Sequence, residues 1–154
     1  MAEKMTQTIE LEAALSPDYE KAFHYFVKGA LDKHLISLYK IGDMYRKGYY
    51  VEKDESEAYY IYEHCRQMMT EEQENSFGAD IYIRLADCNF NGVGTERDLL
   101  LALKYYQTAE VLYFNRIANG DFLYKNQYER SIKMQQVVRN EMSKDIPRYS
   151  FSGD

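Results

Sequence analysis

Three times along the chain an acid, an alanine and an aromatic residue recur at positions i, i+4 and i+8. The copies are Asp18, Ala22, Phe26; Asp54, Ala58, Tyr62; and Asp98, Ala102, Tyr106, and they start 36 and then 44 residues apart. Steps of four place all three side chains on one face of a helix. The residue before each aromatic is Tyr25, Ile61 or Tyr105, so each copy ends in an apolar pair. Asp suits the start of such a helix, because its carboxylate meets free N–H groups and the positive end of the dipole. Ser16 and Pro17 add a start signal to the first copy. Asp54 and Glu57 have capping-box spacing, with Asp in place of the usual Ser or Thr. The alanine allows a neighbouring backbone to approach closely, and the aromatic pair one turn later covers the space it leaves.

A second helical half-unit precedes two of these helices. Leu35, Leu38, Ile41, Gly42 and Tyr45 recur at helical spacing, and Gly48 follows as the residue that ends the helix. Forty-four residues further on stand Ala79, Tyr82, Leu85, Ala86 and Asn89, and then Gly92. The small mid-helix residue is kept, as Gly42 and then Ala86, which predicts close helix–helix contact. Repetition at this period is the mark of a solenoid of stacked helix pairs.

These residues resemble the Sel1-like repeat, a relative of the tetratricopeptide repeat. The resemblance rests on Ile41-Gly42, Tyr45, Gly48-Tyr49-Tyr50-Val51, Asp54, Ala58 and Ile61-Tyr62 in one copy. In the next it rests on Leu85-Ala86, Gly92-Val93-Gly94, Asp98, Ala102 and Tyr105-Tyr106. Tyr50 replaces the second loop glycine, Thr95 the loop valine and Asn89 the helix tyrosine. The Gly-x-Gly loop and a period longer than 34 residues favour this type over the tetratricopeptide repeat. The resemblance implies an all-α fold, a right-handed superhelical solenoid of antiparallel helix pairs. It also implies a protein- or peptide-binding adaptor or regulatory module, and not an enzyme.

The repeat-like segments span about residues 18–33, 34–70 and 78–110. The eight extra residues of the longer period fall in the polar stretch Thr70 to Ser76, which either lengthens both helices or forms a longer loop. Residues 111–143 read as capping helices, because the end of a solenoid needs a polar outer face. Ile117 to Asp121 reads as a helix end and turn, and Gln127 to Met142 as a helix. Its buried stripe is either Ile132, Gln135, Val138 and Met142 or Ile132, Met134 and Val137. Residues 1–143 then form one domain, and 144–154 a flexible tail.

Composition narrows the function classes. The net charge is −6 without a basic cluster, which disfavours binding to a phosphate backbone. No stretch is apolar enough to span a bilayer, and Met1 to Leu15 lacks the apolar core of a signal peptide. Cys65 and Cys88 have no metal or redox spacing and read as core residues. Together these readings point to a cytoplasmic protein with reduced thiols and no cofactor. Sixteen tyrosines and no tryptophan suit a fold with much surface per core, since Tyr tolerates half-burial.

No residues announce catalysis. His64 and Cys65 are adjacent and diverge by about 100° on a helix, so they cannot chelate together. Gly92-Val93-Gly94 lacks a nucleotide-binding fingerprint and a preceding strand. The acidic run Glu71 to Glu74 reads as a solvated helix end.

In helix-pair solenoids the first helices line the concave face. Tyr39, Asp43 and Arg46 form one stripe there, and Ile83, Asp87 and Phe90 form the same stripe 44 residues on. Aromatic and apolar groups beside paired charges suit a protein interface. Tyr39 and Ile83 fit the core equally well. The alternative to an adaptor is self-association, with a homodimer burying the open solenoid ends; a third reading, an enzyme or enzyme accessory domain, needs a convergent polar pocket that the sequence does not announce.

Overall fold

The computed structural model describes residues 18–144 and contains no strand among them. The first helix, α1, spans Tyr19–Leu31. An antiparallel pair follows, α2 (Leu35–Lys47) and α3 (Glu55–Met68). The second pair begins with the short α4 (Glu71–Gln73), which runs through a π-helical turn, Glu74–Gly78, into α5 (Ala79–Asn91). Its mate is α6 (Leu99–Ala118). A 3-10 turn at Phe122–Tyr124 leads into α7 (Lys125–Lys144). Lys144, the first residue of the expected tail, is the last of this helix, and residues 145–154 of that tail and the Ser16-Pro17 start signal lie outside the described residues.

The repeated aspartates all act as helix caps. Asp18, Asp54 and Asp98 each accept a hydrogen bond from the N–H three residues on, at 2.9 Å. The full reciprocal capping box occurs elsewhere, between Thr70 and Gln73. It starts the helix that the extra residues lengthen. From Glu71 to Asn91 the backbone stays helical through the π turn, and α6 is 20 residues long against 14 for α3. The eight extra residues of the longer period therefore lie in Glu71–Gly78, lengthening the first helix of the second pair without a long loop; α6, which begins after that interval, is longer as well.

Gly48 and Gly92 end α2 and α5 in the left-handed conformation, with φ of 70° and 69°. The second loop glycine, Gly94, has a different task. A Cβ there would sit 2.1 Å from the carbonyl oxygen of Glu55, so the loop backbone lies directly on α3. In the first loop Tyr50 holds that place, also left-handed at φ 66°. Its ring meets the preceding helix instead, 5.4 Å from Phe23 and 5.6 Å from His24 between centroids.

Two apolar clusters share α5. Ile81, Leu85 and Cys88 join α1, α2 and α3 in the first, while Ala79, Ile83 and Ala86 join α6 and α7 in the second. Alternate sides of α5 are thus covered, and between Ala79 and Phe90 no residue is fully exposed. The small residues sit where rings cross: a Cβ on Gly42 would lie 2.8 Å from the Tyr62 ring. Ala58, Tyr62, Ala102 and Tyr106 are all completely buried.

On α7 neither expected stripe is found whole. Ser131, Gln135 and Val138 are buried and Met134 and Met142 packed against the core, but Ile132 is 42% exposed. The helix begins at Lys125, and Ser131 turns inward with its hydroxyl donating to the Tyr128 carbonyl at 2.6 Å. That rotation carries Ile132, one residue on, to the outside.

Ala102→Leu should lower stability by about 1–3 kcal/mol through overpacking. Urea unfolding monitored by circular dichroism measures this, and an unchanged midpoint would contradict the packing described.

Candidate functional site

The first helices of both pairs and α7 are tied together on one face by a repeated polar arrangement. On the first pair, the buried Tyr62 of α3 donates its hydroxyl to Asp43 of α2 at 2.5 Å. Arg84, from α5 of the next pair, donates to both oxygens of the same carboxylate at 2.7 and 2.8 Å. On the second pair, Tyr106 of α6 donates to Asp87 of α5 through a short hydrogen bond. Arg130 of α7 completes this second set, donating to Asp87 at 2.8 Å. Each set therefore holds an acid from a first helix, a tyrosine from its mate and an arginine from the helix that follows.

Each group satisfies another's need. A buried phenol requires a hydrogen-bond partner, and a partly buried carboxylate requires a counter-charge. Burial pushes the Asp43 carboxyl up, but the Arg84 charge, the hydrogen bonds from Arg84 and Tyr62 and the nearby Lys40 outweigh it. The carboxyl stays below its ordinary range. Burial, followed by the adjacent carboxylate, raises the Tyr62 and Tyr106 phenols well above their usual value. Arg84 also donates to the Asp80 carbonyl at 2.7 Å, and its guanidinium covers the Tyr39 ring at 4.5 Å. Asp80 in turn accepts from the buried Tyr113 at 2.9 Å.

The six surface candidates divide. Tyr39 and Ile83 are 4% and 7% exposed, so their side chains are not on display. Tyr39 belongs to the first core cluster under Arg84, and Ile83 to the second against α6. Asp43 and Asp87 reach the surface but already serve as acceptors in the two sets. Phe90 is half-buried, with the Arg97 guanidinium 5.3 Å from its ring centroid; Arg97 also donates to Glu141 of α7. Arg46 is half-buried and makes no hydrogen bond or ion pair among the described residues.

Sequence comparison missed the two arginines because they do not follow the repeat. The residue 44 before Arg84 is Lys40, and Arg130 lies 46 beyond Arg84. The Asp–Tyr half of each set was visible, since Asp43 and Tyr62 are spaced like Asp87 and Tyr106, 19 residues apart.

Cys65 and Cys88 are fully buried and free. Burial pushes their thiols up to about 12 and about 11, and for Cys88 the Arg46 charge works against that rise. Among the described residues no group of three His, Cys, Asp or Glu side chains is placed to hold a metal ion. No helix there is long and apolar enough to cross a membrane.

The Sel1 repeat family model matches residues 12–34, 35–63 and 80–109, together more than half of the sequence. A Sel1 repeat protein from Oxalobacter formigenes has a similar structure, with TM-score 0.59 and 17% identity over 92% of this chain and 58% of its own. So does a protective antigen of uropathogenic Escherichia coli strains with an SLR fold, with TM-score 0.58 and 17% identity over 90% of this chain and 29% of its own. The chain thus spans less than two thirds of either. At that identity the likeness establishes the solenoid fold alone. No curated protein matches the sequence significantly.

Arg84→Met should cost about 2–3 kcal/mol near pH 7, where it leaves Asp43 charged and unpaired. In the wild type the depressed carboxyl stabilises the fold above the unfolded value of about 4, and that contribution fades as pH falls through the folded value. In the variant, protonation relieves the unpaired charge. The difference in unfolding free energy should therefore shrink from pH 7 to pH 3; a difference independent of pH would argue against this ion pair. For the thiols, native protein at pH 8 should resist iodoacetamide and urea-unfolded protein should take two labels per chain by mass spectrometry.

Proposed function

The chain belongs to the Sel1 repeat family, and from that premise we propose that it is a protein- or peptide-binding module acting through the face of its first helices. The observation that carries this reading is the chain of paired charges across α2, α5 and α7. Asp43 with Arg84 and Asp87 with Arg130 hold polar groups at fixed places, with Arg130 about half exposed and the other three less than a quarter exposed. Side chains already locked by their neighbours lose little freedom when a partner arrives, which favours recognition. A partner helix or extended segment laid across these helices would meet Lys40, Arg46, Arg84 and Arg130 in turn.

The role is that of an adaptor or regulatory element and not of an enzyme, in line with the usual use of this repeat. The acidic net charge argues for protein partners over nucleic acid. Two buried free thiols are at home in a reducing compartment, the cytoplasm. Self-association is the weaker reading. The exposed face of α7 is polar, with Lys125, Glu129, Lys133, Gln136 and Arg139, and Ile132 is its only exposed large apolar residue.

A steric block tests the face. Lys47→Trp combined with Asn91→Trp places two bulky groups at exposed ends of α2 and α5, and Lys104→Trp places one on the outer side of α6. Wild type and the α6 variant should recover the same partner from native cell extract, with the paired variant losing it. Retention by the paired variant would move the binding surface elsewhere.

A further inference from the structure

We infer that the partner segment recognised on this face is acidic, a peptide stretch rich in Asp or Glu that docks on Arg46 and Arg130. The inference rests on the binding role proposed above and adds the chemistry of the ligand.

The argument begins with unused hydrogen-bonding capacity. A guanidinium carries five N–H groups and accepts nothing. Arg84 uses three donor nitrogens, two toward Asp43 and one toward the Asp80 carbonyl. Arg130 directs one nitrogen to Asp87 and is 46% exposed. Arg46 directs none to any described residue. The acids stand the other way. Asp43 accepts from Tyr62 and twice from Arg84, and Asp87 accepts from Tyr106 and Arg130. The free valence of the face therefore consists of donors carrying positive charge.

Geometry gathers those donors. Helices α2 and α5 are both first helices of their pairs and run in the same direction, with Asp43 opposite Arg84. The Arg46 charge is felt at Cys88, next to Asp87, together with those of Asp87, Asp43 and Glu55, which already have cationic partners in Arg130, Arg84 and Lys53. Arg130 approaches the same Asp87 from α7. Each carboxylate there is thus engaged by another cation, and Arg46 is left as the guanidinium with no carboxylate of its own among the described residues, on a chain whose overall charge is −6.

Carboxylates answer this arrangement directly, because guanidiniums bind them through paired charge-assisted hydrogen bonds. A nucleic-acid backbone fits less well. It needs a long row of cations to offset its charge density, and here the cations alternate with Asp43, Asp80 and Asp87.

Three fluorescein-labelled decapeptides serve as probes: alternating Glu and Ala, alternating Lys and Ala, and alternating Ser and Ala. Fluorescence anisotropy in low salt should show binding of the Glu peptide alone, weakening as NaCl is raised. Arg46→Glu should weaken it at least tenfold and Arg46→Lys should retain most of it. Because Arg46 bonds to no described residue, Arg46→Lys should melt like the wild type and Arg46→Glu, which puts an acid in the last turn of α2, only slightly earlier, so a tenfold loss reports binding. Failure of the Glu peptide to bind the wild type, or equal binding to Arg46→Glu, overturns the inference. So does tighter binding of a thymidine decanucleotide than of the Glu peptide. Binding of the Ser or Lys peptide instead, abolished by the paired tryptophans on α2 and α5, overturns the acid preference yet leaves the peptide-binding role intact.

Discussion

A fully buried tyrosine hydroxyl cannot be left without a partner, and much of this architecture follows from that requirement. Tyr62 and Tyr106 fill the space over the small residues of their helix pairs. An unsatisfied phenol at either place would cost about 1–3 kcal/mol. Asp43 and Asp87 supply the acceptors, but a carboxylate at that depth brings its own need for positive charge. Arg84 and Arg130 supply it in direct contact, reaching back from the helix that follows. The solution to a problem inside one repeat is thereby an interaction between repeats. Apolar packing alone would hold helices together in several relative positions, whereas the bidentate contact of Arg84 fixes one.

The same logic assigns α7 its place. By sequence it does not continue the repeat, and Ser131, Gln135 and Val138 on its buried side match nothing in α2 or α5. By contacts it stands where the first helix of a third pair would stand, since Arg130 does for Asp87 what Arg84 does for Asp43. A terminal helix must combine an inner face that looks like a repeat with an outer face that meets water. Here one arginine provides the likeness and polar side chains provide the rest.

The solenoid was legible in the sequence because packing imposes residue types at fixed intervals. Asp54 must cap, Ala58 must be small and Tyr62 must cover, and each demand repeats at Asp98, Ala102 and Tyr106. The arginine contacts were hidden because they depend on how one pair is set against the next. A long flexible side chain reaches its acceptor from more than one position, so the offsets of Arg84 and Arg130 need not agree with the period. The stripe of Tyr39 and Ile83 was misleading for a related reason. A first helix inside a solenoid is covered by the helices on either side of it, which widens its buried arc beyond that of an ordinary surface helix. Residues that flank the core stripe in sequence then fall inside the core.

This widening also bears on where binding can occur. With most of α2 and α5 covered, the strip left in contact with water is narrow, and it is lined by Ile36, Lys40, Asp43, Arg46 and Lys47 on one helix and Asp80, Arg84, Asp87, Phe90 and Asn91 on the other. A strip of that kind has little apolar area with which to hold a partner by the hydrophobic effect. Its contribution to binding must come from placed charges and hydrogen bonds, which select among partners more than they add raw affinity. The interactions that fix the repeats thus determine the chemistry left for recognition: carboxylates are engaged inside the protein, and guanidiniums with unused N–H groups face outward.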